Sequence, residues 1–471
     1  MDRNRTALRL VRGVVLLAPL LFLAVFFFYP LLSIFTVSLA PEGQLDLSGF
    51  TRILSTDYYR STFWFTVGQA TISTLLTVGL ALPGAYVFTR YHFPGKSLLL
   101  SLATLPFVLP TVVVAAAFSA LIGPRGVLNQ GLMSLFGFSA PPIELERTLT
   151  IILIVHVFYN YAVALRIISS FWANQSVRIE EAARVLGAHG WRLWWEVRLP
   201  LLRPALLAAS ILVFIFCFTS FGVVLILGGP RFATIEVEIY RQVTGLFNLQ
   251  VAAALSLIQI GFMFVLMLIY TRLQRQTATD LQAAQTVTRT PRSIRERVFV
   301  IANVLLMVML LFAPLFALVV RSFTSSDEGL TTRFYALLST NPRDSVLFTP
   351  PLTAVGNSLI FALATTALAV TLGLITSYLL SNRSARLVRW LDPVFMLPLA
   401  ASAVTLGFGY IIALDEPPLN LRTSPALIPL AHTLVAMPFV VRSILPSLRG
   451  IPPNVQGAAR VLGASPLRVW R

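Results

Sequence analysis

Cysteine occurs once in 471 residues, at Cys217, so neither a disulfide framework nor a thiolate metal site can be assembled from this chain. Cys217 lies in an apolar segment and reads as a small buried residue. Charge is scarce too: 12% of residues are charged against 56% hydrophobic, with a mean hydropathy of +0.80. This balance excludes an ordinary soluble domain. Acidic residues are the rarest, 19 against 36 basic, for a net charge of +17. A polyanionic partner such as nucleic acid would need those basic side chains gathered on one soluble face, and they are dispersed among short loops instead. Gly-Lys occurs only at Gly95-Lys96, and a phosphate-binding loop ending there needs glycine at position 90, where Arg90 stands. The chain has no nucleotide loop of that type. No Cys/His/Asp cluster has metal-ligand spacing, and no carboxylate pair lies within an apolar run, so no metal, cofactor or catalytic residue is expected.

What is present is apolar sequence in long runs. A bilayer span takes about 20 mostly apolar residues, and ten stretches qualify, at 13–37, 64–89, 98–122, 148–171, 204–228, 251–271, 298–320, 354–380, 390–414 and 425–447. The first follows Arg3, Arg5, Arg9 and Arg12 and is too long for the core of a cleavable signal, so it is expected to be retained. With the N-terminus and every second loop placed in the cytoplasm, 24 Lys/Arg and 6 Asp/Glu lie inside against 9 Lys/Arg and 12 Asp/Glu outside. That asymmetry is the positive-inside rule, so the charge reports topology. The expected fold is an all-α polytopic membrane protein.

The chain also repeats itself. Ala182-Ala-Arg-Val-Leu-Gly-Ala188 returns letter for letter as Ala458-Ala-Arg-Val-Leu-Gly-Ala464, an offset of 276 residues that also carries His156 onto His432 and Arg166 onto Arg442. Leu105-Pro106 returns as Leu397-Pro398 at an offset of 292, so the second copy is shorter by 16 residues between those points. An internal repeat of this length predicts two tandem parallel six-helix halves. The first spans 1–271 with a polar loop at 172–203, a polar linker follows at 272–297, and the second half occupies 298–471 with its loop at 448–471. That second half is expected to be truncated after its fourth helix, and extending the repeat predicts a parent chain of about 547 residues and twelve spans.

Within the 172–203 loop, Ser176 is placed to cap a helix carrying Glu180 and Glu181 in its early turns. Gly187 then supplies a break with positive φ, and a second helical stretch through Trp191, Trp194 and Trp195 leads to Leu199-Pro200. The spacing Glu181-Ala182-Ala183, Gly187, Val197, Leu199-Pro200 resembles the signature loop of permease subunits in binding-protein-dependent ABC importers, with Val197 where isoleucine is usual. The second copy, Ala458, Ala459 and Gly463, departs from the pattern because Gln456-Gly457 stands where the first has Glu180-Glu181. Phe218 to Pro230, together with His156-Val-Phe-Tyr-Asn160, is similar to the fused permeases of thiamine and thiamine phosphate importers. Ferric-iron permeases, also fused, are the alternative, and an ion-coupled secondary transporter is a more distant one.

The resemblance implies partners and site residues. Each loop would form a coupling helix seated on one of two ATPase subunits, through Glu181, Ala182, Ala183, Gly187, Leu199 and Pro200 in the first copy and Ala458, Ala459 and Gly463 in the second. A periplasmic or lipid-anchored binding protein would deliver the solute to a permease in a bacterial inner membrane, with membrane lipid as its surroundings and no nucleic acid. His156 and Asn160 share a helix face at i and i+4. Polar groups at membrane depth either line a path or tie helices together. On the first reading His156, Asn160 and His432 border the translocation path, and on the second they are structural. Glu236 and Glu238, just past the Gly228-Gly229-Pro230 helix stop, are expected to be solvated.

Overall fold

The computed structural model describes residues 16–41, 43–278, 288–325, 329–340, 349–381, 386–415, 417, 419–450, 458 and 461–464. Arg3 to Arg12, 279–287 of the linker, 382–385 of the second basic turn, Gln456, Gly457 and Ala459 lie outside the described residues. In chain order the principal helices are α1 (Leu16–Leu39), α2 (Asp57–Arg90), α3 (Thr111–Ile122), α4 (Leu149–Ala173), α5 (Val177–Val185) and α6 (Gly190–Phe218). After them come α7 (Ile235–Thr244), α8 (Leu249–Ala278), α9 (Ile294–Ser322), α10 (Pro351–Ser381), α11 (Ala403–Ala413) and α12 (Leu427–Gly450). Among the described residues the one sheet is a two-stranded pairing of Thr324–Ser325 with Gly329–Leu330. Among the described residues nine helical segments are long and apolar enough to cross a bilayer, one of them Thr111–Phe136, which joins α3 to a second short helix at Val127–Phe136. The protein is an all-α polytopic membrane protein.

Three of the ten apolar stretches are not continuous helices, and two of them break at the repeated Leu-Pro. In the first half, Lys96–Leu102 and Leu105–Val108 are short helices, and Leu109 is extended at ψ 135° ahead of Pro110. A proline drives the residue before it out of helical geometry, so α3 restarts at Thr111 and runs only 12 residues. In the second half Arg386–Met396 passes through a tight turn at Leu397–Ala400, and Ala401 is extended before α11 restarts. Ser402 caps that restart by accepting from Val404 N and Thr405 N. At 1.5 Å per residue a 12-residue helix spans about 18 Å, well short of a bilayer core. Apolar composition concealed the breaks because it runs straight through them.

The fifth stretch is broken as well. α6 ends at Phe218, and a short π-helical turn at Val224–Gly228 stops at Gly229, φ +68°. α7 then folds back onto α8 and α2. This overturns the expectation for Glu236 and Glu238, which are 0% and 2% exposed. Glu238 accepts from the Tyr58 hydroxyl at 2.7 Å and from Gln242 Nε2 at 2.6 Å, and Glu236 accepts from Gln259 Nε2. Polar partners on α2 and α8, far away in the sequence, make the burial tolerable.

The compact units do not follow the two halves of the chain. Residues 48–335 form one unit, while residues 1–47 cluster with 336–471. Each half therefore contributes its first helix, α9 or α1, to the unit built mainly by the other. Inside 48–335, α2, α4 and α6 pack closely along fully buried Ala81, Ala85, Ala164, Ala205 and Ala209. Without a hydrophobic force between helices in lipid, such small residues gain contact by letting backbones approach. Within the other unit, α10 packs on α12 around Leu380, Met437 and Val441.

Gly373 on α10 is fixed by that approach, because a Cβ there would sit 2.5 Å from Val440 Cγ1 and 2.8 Å from Val440 Cβ. Gly356, on the same helix, has open space instead. Gly373→Ala should lower the apparent melting temperature of the purified protein, with an overpacking cost of about 1–3 kcal/mol, and Gly356→Ala should leave it unchanged or raise it. Equal effects would show that α10 does not pack as described.

Candidate functional site

The repeated heptapeptide folds into a helix with a fixed ending. α5 closes with Gly187 N–H donating to Arg184 O at 3.0 Å and Ala188 N–H donating to Ala183 O at 2.9 Å, with Gly187 at φ +90°. These are the paired bonds of a Schellman motif, whose left-handed position suits glycine. In the second copy Gly463 stands at φ +79°, and Leu462 N–H donates to Ala458 O at 3.0 Å, as Leu186 N–H does to Ala182 O. Both turns project apolar side chains: Val185 and Leu186 are each 88% exposed, and Val461 and Leu462 are 88% and 86% exposed. Trp191 and Trp195, 5.4 Å apart and exposed, extend the apolar face of the first copy.

Of the predicted residues in this loop, Glu181 and Ala182 are exposed, Ala183 is half-buried, and Leu199 and Pro200 continue α6. Ser176 occupies the N-cap position of α5 with extended backbone but forms no capping bond through its side chain. Leu199 N–H donates to Trp194 O, closing a π-turn at Trp194–Arg198. Pro200 has no N–H for the preceding turn, which favours that shift of register.

The residue that anchors the loop is Glu180, not Glu181. Glu180 is 6% exposed and accepts from Arg198 Nη2 at 3.1 Å and from Arg90 Nη2. Arg198, also 6% exposed, places its guanidinium 5.1 Å from the Tyr86 ring centre and 5.2 Å from that of Trp194. Tyr86 in turn meets Trp172 at 5.4 Å, Tyr91 at 6.0 Å and Phe299 at 6.2 Å. One carboxylate and one aromatic ring thus join α5 to α2, α4, α6 and α9. The end of the linker is stitched to the same place, with His92 N–H donating to Arg289 O at 2.9 Å and Arg289 N–H to Arg90 O at 3.1 Å.

His156 and Asn160 lie at 2% and 3% exposure where α2, α4 and α6 meet. His156 Nδ1 is 2.9 Å from Ser73 Oγ, Asn160 Nδ2 donates to His156 O at 2.9 Å and approaches Cys217 Sγ at 3.6 Å, and Gln69 Nε2 donates to Cys217 O at 2.9 Å. These bonds tie helices together. His432, exposed on α12, is not brought into an equivalent setting.

Removing the Glu180 carboxylate leaves two guanidinium groups without their counter-charge, one of them buried, whereas Glu181 points outward. Breaking a buried pair costs about 3–5 kcal/mol. Glu180→Ala should therefore lower the apparent melting temperature markedly and Glu181→Ala should not. Equal shifts in a thermal-melt comparison would remove Glu180 from its anchoring role.

Residues 76–279 match the family described as binding-protein-dependent transport system inner membrane component. The thiamine transport system permease protein ThiP of Haemophilus influenzae is 29% identical over 436 residues, which are 91% of this chain and 76% of that protein. ThiP of Escherichia coli K12 is 27% identical over 86% of this chain and 72% of that protein. A putative 2-aminoethylphosphonate transport system permease, PhnU of Salmonella paratyphi A, is 28% identical over 52% of this chain and 85% of that protein. The crystal structure of a bacterial alginate ABC transporter bound to its periplasmic protein aligns with 59% of this chain and 97% of that one, at 16% identity and a TM-score of 0.48. Residues 76–279, which hold the clamp and the Schellman turn of the first loop, match the family of binding-protein-dependent transport inner membrane components, and the chain is similar to transport permeases along most of its length.

Proposed function

We propose that this permease carries thiamine or its phosphates from an extracytoplasmic binding protein into the cytoplasm, driven by ATPase subunits docked on the loops at 172–203 and 448–471. The single observation that carries the substrate is the similarity to thiamine permeases along 91% of the chain. Support for the docking role comes from the loops. An apolar tip held on a rigid turn suits a partner cleft, and the Glu180 clamp links that tip to the membrane helices. Glu181, Ala182, Ala183, Gly187, Leu199, Pro200, Ala458, Ala459 and Gly463 are the proposed coupling residues. His156, Asn160 and His432 remain proposals for the path only if the bundle opens between α2, α4 and α6, because two of the three are buried in helix contacts.

The N-terminus faces the cytoplasm on this reading, as the distribution of basic residues requires. Single cysteines introduced at 125 and 245 in a Cys217→Ala background should react with a membrane-impermeant maleimide in intact cells, and one introduced at 290 should react only after lysis. The opposite pattern would invert the topology.

Uptake tests the substrate. In cells unable to make thiamine, the chain expressed with its ATPase and binding protein should accumulate labelled thiamine, and unlabelled thiamine but not ferric citrate should suppress that signal. Gly187→Val, which places a β-branched residue at a positive φ it can scarcely adopt, should leave the membrane level of the protein intact and abolish uptake. Suppression by iron would transfer the assignment to the ferric-iron alternative, and normal uptake by the valine variant would remove the coupling role.

A further inference from the structure

A cavity of about 1100 Å³ opens where α2 and α4 end, beside the Lys96–Leu102 helix. Its walls carry Lys96, Arg166 and His92 together with the hydroxyl residues Thr89, Ser97, Ser101, Ser169 and Ser170, and among the described residues no carboxylate. Arg166 uses one N–H on Leu100 O at 2.6 Å, and Lys96 uses one on Tyr91 O at 3.1 Å, both backbone acceptors. Among the described residues neither cation has a carboxylate within ion-pair distance.

The contrast with the neighbouring clamp is informative. Arg90 and Arg198, a few residues away in sequence or in space, share Glu180. Arg90 and Arg198 are turned onto a carboxylate, whereas Lys96 and Arg166 are turned onto backbone carbonyls at the cavity wall. Burial lowers the Lys96 ammonium from its ordinary value, the direction that an arriving anion would reverse.

We propose that this cavity binds an organic phosphate, its phosphate group held by Lys96 and Arg166 and by the surrounding hydroxyls. Several donors on a tetrahedral oxyanion suit phosphate better than carboxylate. The volume exceeds that of typical small-ligand pockets, about 300–1,000 Å³, so an ester with an organic remainder fits better than the bare ion. Two sources offer that chemistry: the headgroup of an anionic phospholipid, for which basic pockets between membrane helices are suited, and a soluble phosphate ester.

Native mass spectrometry of the delipidated full-length protein decides between them. Phosphatidylglycerol and glycerol 3-phosphate are titrated separately and then in competition, with phosphatidylcholine as the uncharged comparison. Wild type should retain one of the two anionic probes at least about tenfold better than Lys96→Gln/Arg166→Gln, and the charge-preserving Lys96→Arg/Arg166→Lys should restore retention. Retention of the lipid without competition by glycerol 3-phosphate assigns a membrane lipid, and binding of glycerol 3-phosphate assigns a soluble ester. Equal retention of both probes by wild type and the glutamine variant, or no binding of either, overturns the site. Because the readout is binding, it is independent of whether the thiamine assignment survives the uptake test.

Discussion

Everything that makes the 172–203 loop more than a surface turn depends on one buried carboxylate between two guanidinium groups. Glu180 is buried, and both its partners come from elsewhere, Arg90 from the end of α2 and Arg198 from the start of α6. Burying ions is costly, and a pair of this kind is weak evidence for net stability. Its value here is geometric. The three residues can be satisfied together only when α5 is held at one distance and one angle to the membrane helices, and the Tyr86 ring, stacked under Arg198 and against Trp172 and Phe299, closes the other side.

A rigid anchor gives meaning to the exposed tip. The Schellman turn at Gly187 presents Val185 and Leu186 almost fully to solvent, an arrangement that favours contact with another surface. On the proposed docking role, force applied there would pass through the Glu180 ion pairs to α2 and α6 and, through Tyr86 and Phe299, to α9. The second copy has a glycine at positive φ in the matching place, Gly463, and the same exposed Val461-Leu462, but glutamine and glycine replace the acidic pair ahead of it. The two loops therefore share a tip and differ in the residue types available to anchor it.

Much of this was legible before any coordinates. A heptapeptide ending in glycine, repeated at 276 residues, specifies a helix and its left-handed stop through local bonds alone, and local bonds are what a sequence states most directly. Which of two adjacent glutamates anchors the loop was not legible. Neighbouring helix positions point about 100° apart, and the choice between Glu180 and Glu181 is made by where Arg90 lies, 90 residues earlier in the chain. The same limit explains Glu236 and Glu238, buried by Gln259 and Tyr58, and His156, which matches His432 in register but not in surroundings. The Leu-Pro breaks were visible as letters, yet hydropathy averages over them, so Thr111–Ile122 and Ala403–Ala413 read as parts of full spans. The grouping of α1 and α9 with the opposite halves arises from packing alone and leaves no trace in the repeat.

We propose that the Glu180 clamp transmits force from the loop to the membrane helices. The most direct measurement is the number of substrate molecules moved per ATP hydrolysed by the complete transporter reconstituted in vesicles, compared between wild type and Glu180→Gln, which keeps the shape of the side chain and removes its charge. Hydrolysis should persist in the variant while this ratio falls severalfold. An unchanged ratio in a variant whose melting temperature has dropped would contradict it, leaving Glu180 as a stabilising residue with no part in coupling.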